Sequence, residues 1–276
     1  MQNNPPKYKM GIKEILILFL GFIIGQALVA GVGLFMLFVL HQNFESSTTF
    51  MIFAYLVSML FPILAFDFLI CRASGRPLNF NFSTKPFYTY FLSFGMMIGM
   101  MLIADYATNL IPTSGKIFGP IYESFRQQMG SLSLEIPSMI LMTVCFAPLL
   151  EEIVFRGIIY KGMENSGVRP WVAILVSAFV FGAIHFYPWQ FLGAGLLGIV
   201  LALVYWKTKS LLLPIILHAF NNLVSCFLII NLKTENFSEA VGIPSWVLFL
   251  TGLVIFGIFL FLFLKKYRVY HRDILV

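Results

Sequence analysis

Residues 15–40, ILILFLGFIIGQALVAGVGLFMLFVL, contain no charged side chain. As a helix this run exceeds the ~30 Å hydrocarbon core of a bilayer. Comparable runs recur at about 49–71, 87–111, 136–160, 171–187, 189–206, 211–231 and 245–264. A chain built this way has lipid as its solvent, so each segment must satisfy its own backbone hydrogen bonds. The expected fold is all-α, a polytopic membrane protein of about eight transmembrane helices in one bundle. Composition agrees: 11% of residues are charged, against roughly 25% in a soluble domain. The fifth and sixth runs are short and separated only by the Tyr187-Pro188 turn.

The basic residues carry topological information. With the N-terminus in the cytoplasm, eight spans place Lys7, Lys9, Lys13, Arg72, Arg76, Lys85, Lys161, Arg169, Lys207, Lys209, Lys265, Lys266, Arg268 and Arg272 inside. Only Lys116, Arg126 and Lys233 fall outside, and Arg156 lies within a span. The positive-inside bias therefore predicts two cytoplasmic termini. It also accounts for the net charge of +6 without nucleic acid, because the cations sit between apolar runs and form no single face. The first run is longer than the ~7–15 residues of a signal-peptide core and reads as a retained helix. The expected localisation is multi-pass in a cell membrane, with the bilayer itself as a partner.

No repeat or linker divides the chain. Residues 1–134 hold three spans and an outer amphipathic segment, 135–231 the polar-bearing core spans, and 232–276 the last span and a basic tail, all as one structural unit. In GKIFGPIYESFRQQMG (residues 115–130), Ile117, Phe118, Ile121, Tyr122, Phe125 and Met129 recur at helical spacing. Glu123, Arg126, Gln127 and Gln128 face away, the pattern of a helix on the outer interface or capping the bundle. Cys71, Cys145 and Cys226 are far apart, show no metal-like spacing and read as small core residues.

Intramembrane polar residues are the exceptions that need explaining. Gln26 and Asp67 are isolated and read as packing or helix-contact residues. The rest concentrate in the second half: Glu151, Glu152 and Arg156 on the fourth span, His185 near the end of the fifth, and His218, Asn221 and Asn222 on the seventh. Glu152 and Arg156 are i,i+4, share a face and can pair, which lowers the cost of burying both. Glu151 points ~100° away. A carboxylate left alone in an apolar setting suits a general base near neutral pH. Phe181 and His185 share a face, with Gly182 permitting close approach of a neighbouring helix. His218 and Asn222 likewise project together, and Asn221 points elsewhere. One carboxylate, two imidazoles and an amide could bind a metal. Alternatively, Glu151 with His185 could activate water while His218 and Asn222 hold an oxyanion.

These residues resemble the motifs of the CAAX-processing and bacteriocin-processing intramembrane proteases. This is the family of the type II CAAX prenyl endopeptidase, also called Abi or lysostaphin resistance protein A-like. Glu-Glu followed by three residues and Arg matches Glu151, Glu152 and Arg156. Phe followed by three residues and His matches Phe181 and His185. His followed by three residues and Asn matches His218 and Asn222. The resemblance covers roughly residues 135 to 231. It implies a membrane-embedded endopeptidase acting on a protein or peptide at the membrane, with Glu151 and His185 activating water and His218 and Asn222 stabilising the oxyanion. Glu152 and Arg156 would support the site or orient substrate. No cofactor is favoured, since the zincin HExxH is absent; zinc would be held by Glu151, His185 and His218. The chain looks more like a bacterial member than a eukaryotic one. Two other readings use the same residues: a non-proteolytic peptide-binding or immunity partner, and a proton-coupled transporter, against which no inverted repeat is found.

Overall fold

The computed structural model describes residues 8–41, 47–75, 77–132 and 135–268; Lys7, Arg76 and Arg272, three of the cations assigned to the cytoplasm, lie outside these ranges. The described residues form helices and no strand. In chain order these are α1 (Ile12–Phe38), α2 (Thr48–Ser74), α3 (Phe87–Asn109), α4 (Gly115–Leu132), α5 (Ile136–Asn165), α6 (Pro170–Ala183), α7 (Pro188–Thr208), α8 (Leu212–Leu232), α9 (Phe237–Val241) and α10 (Ser245–Arg268). Seven of them, α1, α2, α3, α5, α7, α8 and α10, are long and apolar enough to cross a membrane. The protein is thus an all-α, multi-pass membrane protein.

The run at 171–187 is the departure. It yields only the 14-residue α6, which at 1.5 Å per residue is roughly 21 Å long. Pro188 is the cause. It forces Tyr187 into an extended conformation (φ −82°, ψ 133°), and Phe186 turns the chain with a left-handed φ of 57°.

The chain folds as two compact units. The first comprises Met1–Phe80 and Glu135–Ala173, the second Asn81–Leu134 and Ile174–Val276.

In the first unit α1 packs through small residues and leaves its large ones outside. Leu18, Gly21, Gly25 and Gly33 are buried while Ile15, Leu16, Phe19 and Phe35 are exposed. A Cβ on Gly21 would stand 2.7 Å from the Pro62 Cα of α2, so the two backbones meet as small-residue interfaces in lipid do. The core of this unit joins Leu18, Phe66, Ile70, Cys71 and Ile158. Residues ahead of α1 are strapped to α5: the Tyr8 hydroxyl donates to the Gly157 carbonyl at 2.5 Å and the Met10 N–H to that of Gly162 at 3.1 Å. Asp67 is a structural residue, as expected, accepting from Arg72 Nε and from the Leu78 N–H, each at 2.7 Å. Gln26, expected at a helix contact, is exposed.

In the second unit α3 is the central helix. Leu92, Met96, Met97, Met100 and Met101 pack with Val200, Leu201 and Val204 of α7, Leu213 and Leu217 of α8, and Phe263 of α10. Unbranched methionines fill the irregular gaps where these helices cross. The amphipathic segment forms α4, and its apolar face caps this unit. Phe125 is buried, and Tyr122 and Phe125 lie against Trp189, with ring centroids 5.0 and 6.2 Å away. Glu123, Arg126, Gln127 and Gln128 face out.

Of the cysteines, Cys71 and Cys226 are buried, but Cys145 is exposed. The core expectation fails there because Leu141, Cys145 and Leu149, four residues apart, form the outward stripe of α5.

Candidate active site

The acidic site residues lie in the first unit, on α5. This helix is not regular: its hydrogen bonding widens to i→i+5 turns over Leu141–Phe146 and Ile153–Tyr160. Pro148 explains the first widening, since it lacks an N–H and its ring clashes with the carbonyl four residues back. Single wide turns of this kind frequently accompany functional sites. Glu151 and Glu152 lie between the two wide turns, and Arg156 lies within the second.

Arg156 Nη1 donates to Glu152 Oε1 at 2.6 Å, and both side chains have zero exposure. The expected i,i+4 pair is therefore present, as a fully desolvated one. Its mutual attraction offsets a burial cost of several kcal/mol per ion. Glu151, 6% exposed, turns elsewhere. Its Oε1 accepts a 2.7 Å hydrogen bond from the Tyr55 hydroxyl of α2.

The second unit holds the imidazoles. His185 sits in the turn just beyond α6 and is half-buried. Its N–H closes that turn onto the Gly182 carbonyl at 3.0 Å, and its Nδ1 lies 2.8 Å from the Phe181 carbonyl. A carbonyl oxygen can only accept, so Nδ1 carries a hydrogen and Nε2 is the ring nitrogen turned away from that contact. Gly182 allows this geometry. A Cβ there would lie 2.6 Å from the Phe191 carbonyl oxygen of α7, so α6 and α7 touch backbone to backbone as expected.

Phe181 has a second task. His185 and His218 both pack edge-on against its ring, with centroids 5.2 and 5.5 Å away. The phenylalanine of that motif is thus the wall between the two histidines. On α8, Asn221 Nδ2 donates to Asn222 Oδ1 at 3.1 Å. That bond engages the Asn222 oxygen, and the amide end of the same side chain is the one with hydrogens to donate, as an oxyanion requires. Helical spacing set Asn221 apart from this group; the contact shows it bracing its neighbour.

The structure thus brings together Glu151 with Tyr55, Glu152 with Arg156, and His185 with His218 around Phe181. The acidic and imidazole halves belong to different compact units. Neither unit alone, among the described residues, groups three His, Cys, Asp or Glu side chains as a metal site. The second unit also has a cavity of about 1040 Å³ lined by Tyr122, Arg126, Trp189, Lys233, Glu235 and Glu239, among others; His185, His218 and Asn222 are not on its wall. Burial pushes the Glu235 carboxyl up, and Arg126 opposes that shift.

Comparison with known proteins covers this same stretch. Residues 133–224 match the family model described as Type II CAAX prenyl endopeptidase Rce1-like. Membrane-embedded CAAX protease MroQ of Staphylococcus aureus is 34% identical over 100 residues, 33% of this chain and 39% of that protein. YdiL of Bacillus subtilis, named as a candidate membrane peptidase, is 32% identical over 87 residues, 32% of this chain and 35% of that protein. UPF0177 protein YaiF of Lactococcus lactis is 30% identical over 141 residues, 49% of this chain and 62% of that protein. The chain therefore aligns with less than two thirds of each of these relatives. No solved structure matches it. All six candidate site residues fall inside the stretch, residues 133–224, that is similar to the type II CAAX prenyl endopeptidase Rce1-like family.

Proposed function

We propose that the chain is an intramembrane endopeptidase that hydrolyses a peptide bond in a membrane-associated protein or peptide. Glu151 and His185 take a proton from water as it attacks the scissile carbonyl. His218 and the Asn222 amide donate hydrogen bonds to the developing oxyanion. The intermediate then collapses, the C–N bond breaks, and the proton passes to the leaving amine. Glu152 and Arg156 neutralise each other and hold α5 in place beneath Glu151.

The observation that carries this reading is the His185 turn. Its Nδ1 is committed to the Phe181 carbonyl while its ring shares the Phe181 wall with His218. Helix glue has no need of a base presented this way beside a second imidazole.

The donor chemistry of one carboxylate and two imidazoles fits zinc, which Glu151, His185 and His218 would hold and which would supply Lewis acidity toward the carbonyl. We assign the reaction to the side chains alone. Activity abolished by 1,10-phenanthroline and restored by zinc would replace that assignment.

The test compares peptide termini, by mass spectrometry of membranes and medium, between cells expressing wild type and Glu151→Gln at matched membrane levels. New termini only with wild type are expected. Identical termini would overturn the protease and favour a peptide-binding partner.

A further inference from the structure

Nothing in the motif stretch accounts for Tyr55. It lies on α2, outside the segment 133–224 that matches the family model, yet its hydroxyl is 2.7 Å from Glu151 Oε1. In a chain with 31 Phe and 11 Tyr, the default filler of an apolar helix is phenylalanine. A hydroxyl at the same place loses its water and must find a partner to offset that loss. Here the partner is Glu151, the carboxylate next to the Glu152–Arg156 pair.

We propose that Tyr55 is a positioning residue for Glu151. The phenol donates a charge-assisted hydrogen bond that fixes one carboxylate oxygen, and with it the plane of a side chain that otherwise turns about three torsions. Proton transfer from water then falls to the other oxygen, Oε2. Tyr55 holds its place because α2 is locked against α1: the Gly21 backbone meets Pro62, and Ser58, one turn beyond Tyr55, is buried. The first helices thereby supply a part of the site that the family stretch lacks.

The inference rests on the proposed function, and its test separates the two. Full-length wild type and Tyr55→Phe, which removes only the hydroxyl, are purified in detergent. They are treated with dicyclohexylcarbodiimide, which couples to carboxyl oxygens in apolar surroundings. The modified fraction at Glu151 is read per molecule by peptide mass spectrometry, so a lower yield of the variant does not affect it. The same variant is assayed for peptide termini in cells at matched membrane levels.

Glu151 is expected to be modified about tenfold faster in Tyr55→Phe, because the phenol no longer holds and covers its Oε1. Terminus formation should fall by a similar factor. Both must move: an unchanged labelling rate or an unchanged terminus output overturns the role of Tyr55, even where Glu151→Gln abolishes the termini and the protease reading stands. Wild-type termini from Glu151→Gln would instead overturn the proposed function and the catalytic meaning of the contact. The labelling rate would then report the Tyr55 hydrogen bond alone.

Discussion

The acidic and imidazole halves are built in opposite ways. Glu151, Glu152 and Arg156 sit in the middle of a 30-residue helix, buried, with a neutralising pair at zero exposure. His185 sits beyond the end of a 14-residue helix, half-buried, in a turn closed by its own backbone. Charges in an apolar interior must be assembled as part of the core, because an unpaired one is too costly to keep. A half-buried side chain on a turn escapes that requirement. The acidic half should therefore be inseparable from folding, and the imidazole half dispensable to it.

That contrast sets the order of effects. Arg156→Ala leaves Glu152 buried without its cation and is expected to cost about 3–5 kcal/mol of stability, read as lost folded protein in detergent. His185→Ala should leave the unfolding temperature within a few degrees of wild type while abolishing terminus formation. Equal destabilisation by the two variants would break the comparison.

Asn222→Ala should lower the cleavage rate by about 10²–10³, the effect of losing one oxyanion donor. Asn221→Ala, acting only through Asn222, should lower it by about tenfold, the factor of one neutral hydrogen bond. Equal losses from the two would make Asn221 a donor in its own right.

Gly182→Ala brings a methyl group against the Phe191 carbonyl and should cost about 1–3 kcal/mol as α6 and α7 part. Its sharper reading is in activity, because Phe181 and His185 move with α6. Unaltered cleavage would show that the His185 turn tolerates displacement of its helix.

Much of this was legible from spacing alone. The Glu152–Arg156 pair, the Phe181–His185 face, the close approach at Gly182 and the amphipathic α4 are all local, set by residues within a few positions of one another. Tyr55 was not, since its partner stands 96 residues away and a tyrosine in an apolar run has no pattern to mark it. The contact of Phe181 with His218 is equally non-local. Asn221 was set aside because adjacent helical residues diverge by ~100°, yet amide side chains are long enough to close that gap. Cys145 was misplaced because composition cannot tell which stripe of an apolar helix faces out. The break after α6 was half visible: Pro188 marked a turn, and the left-handed Phe186 that shortens the helix carried no signal.

Hydrolysis consumes one water for every bond cut, and hydrocarbon holds almost none. At roughly 21 Å, α6 is about 9 Å shorter than a ~30 Å membrane core. A helix of that length is too short to cross such a core by itself. The uncovered stretch begins at the His185 turn, where neighbouring carbonyls and the imidazole offer hydrogen bonds that lipid tails cannot. Under the proposed hydrolysis, that notch is where water has the shortest path through the lipid to the His185 turn, so the shortness of one helix bears on the supply of the second substrate.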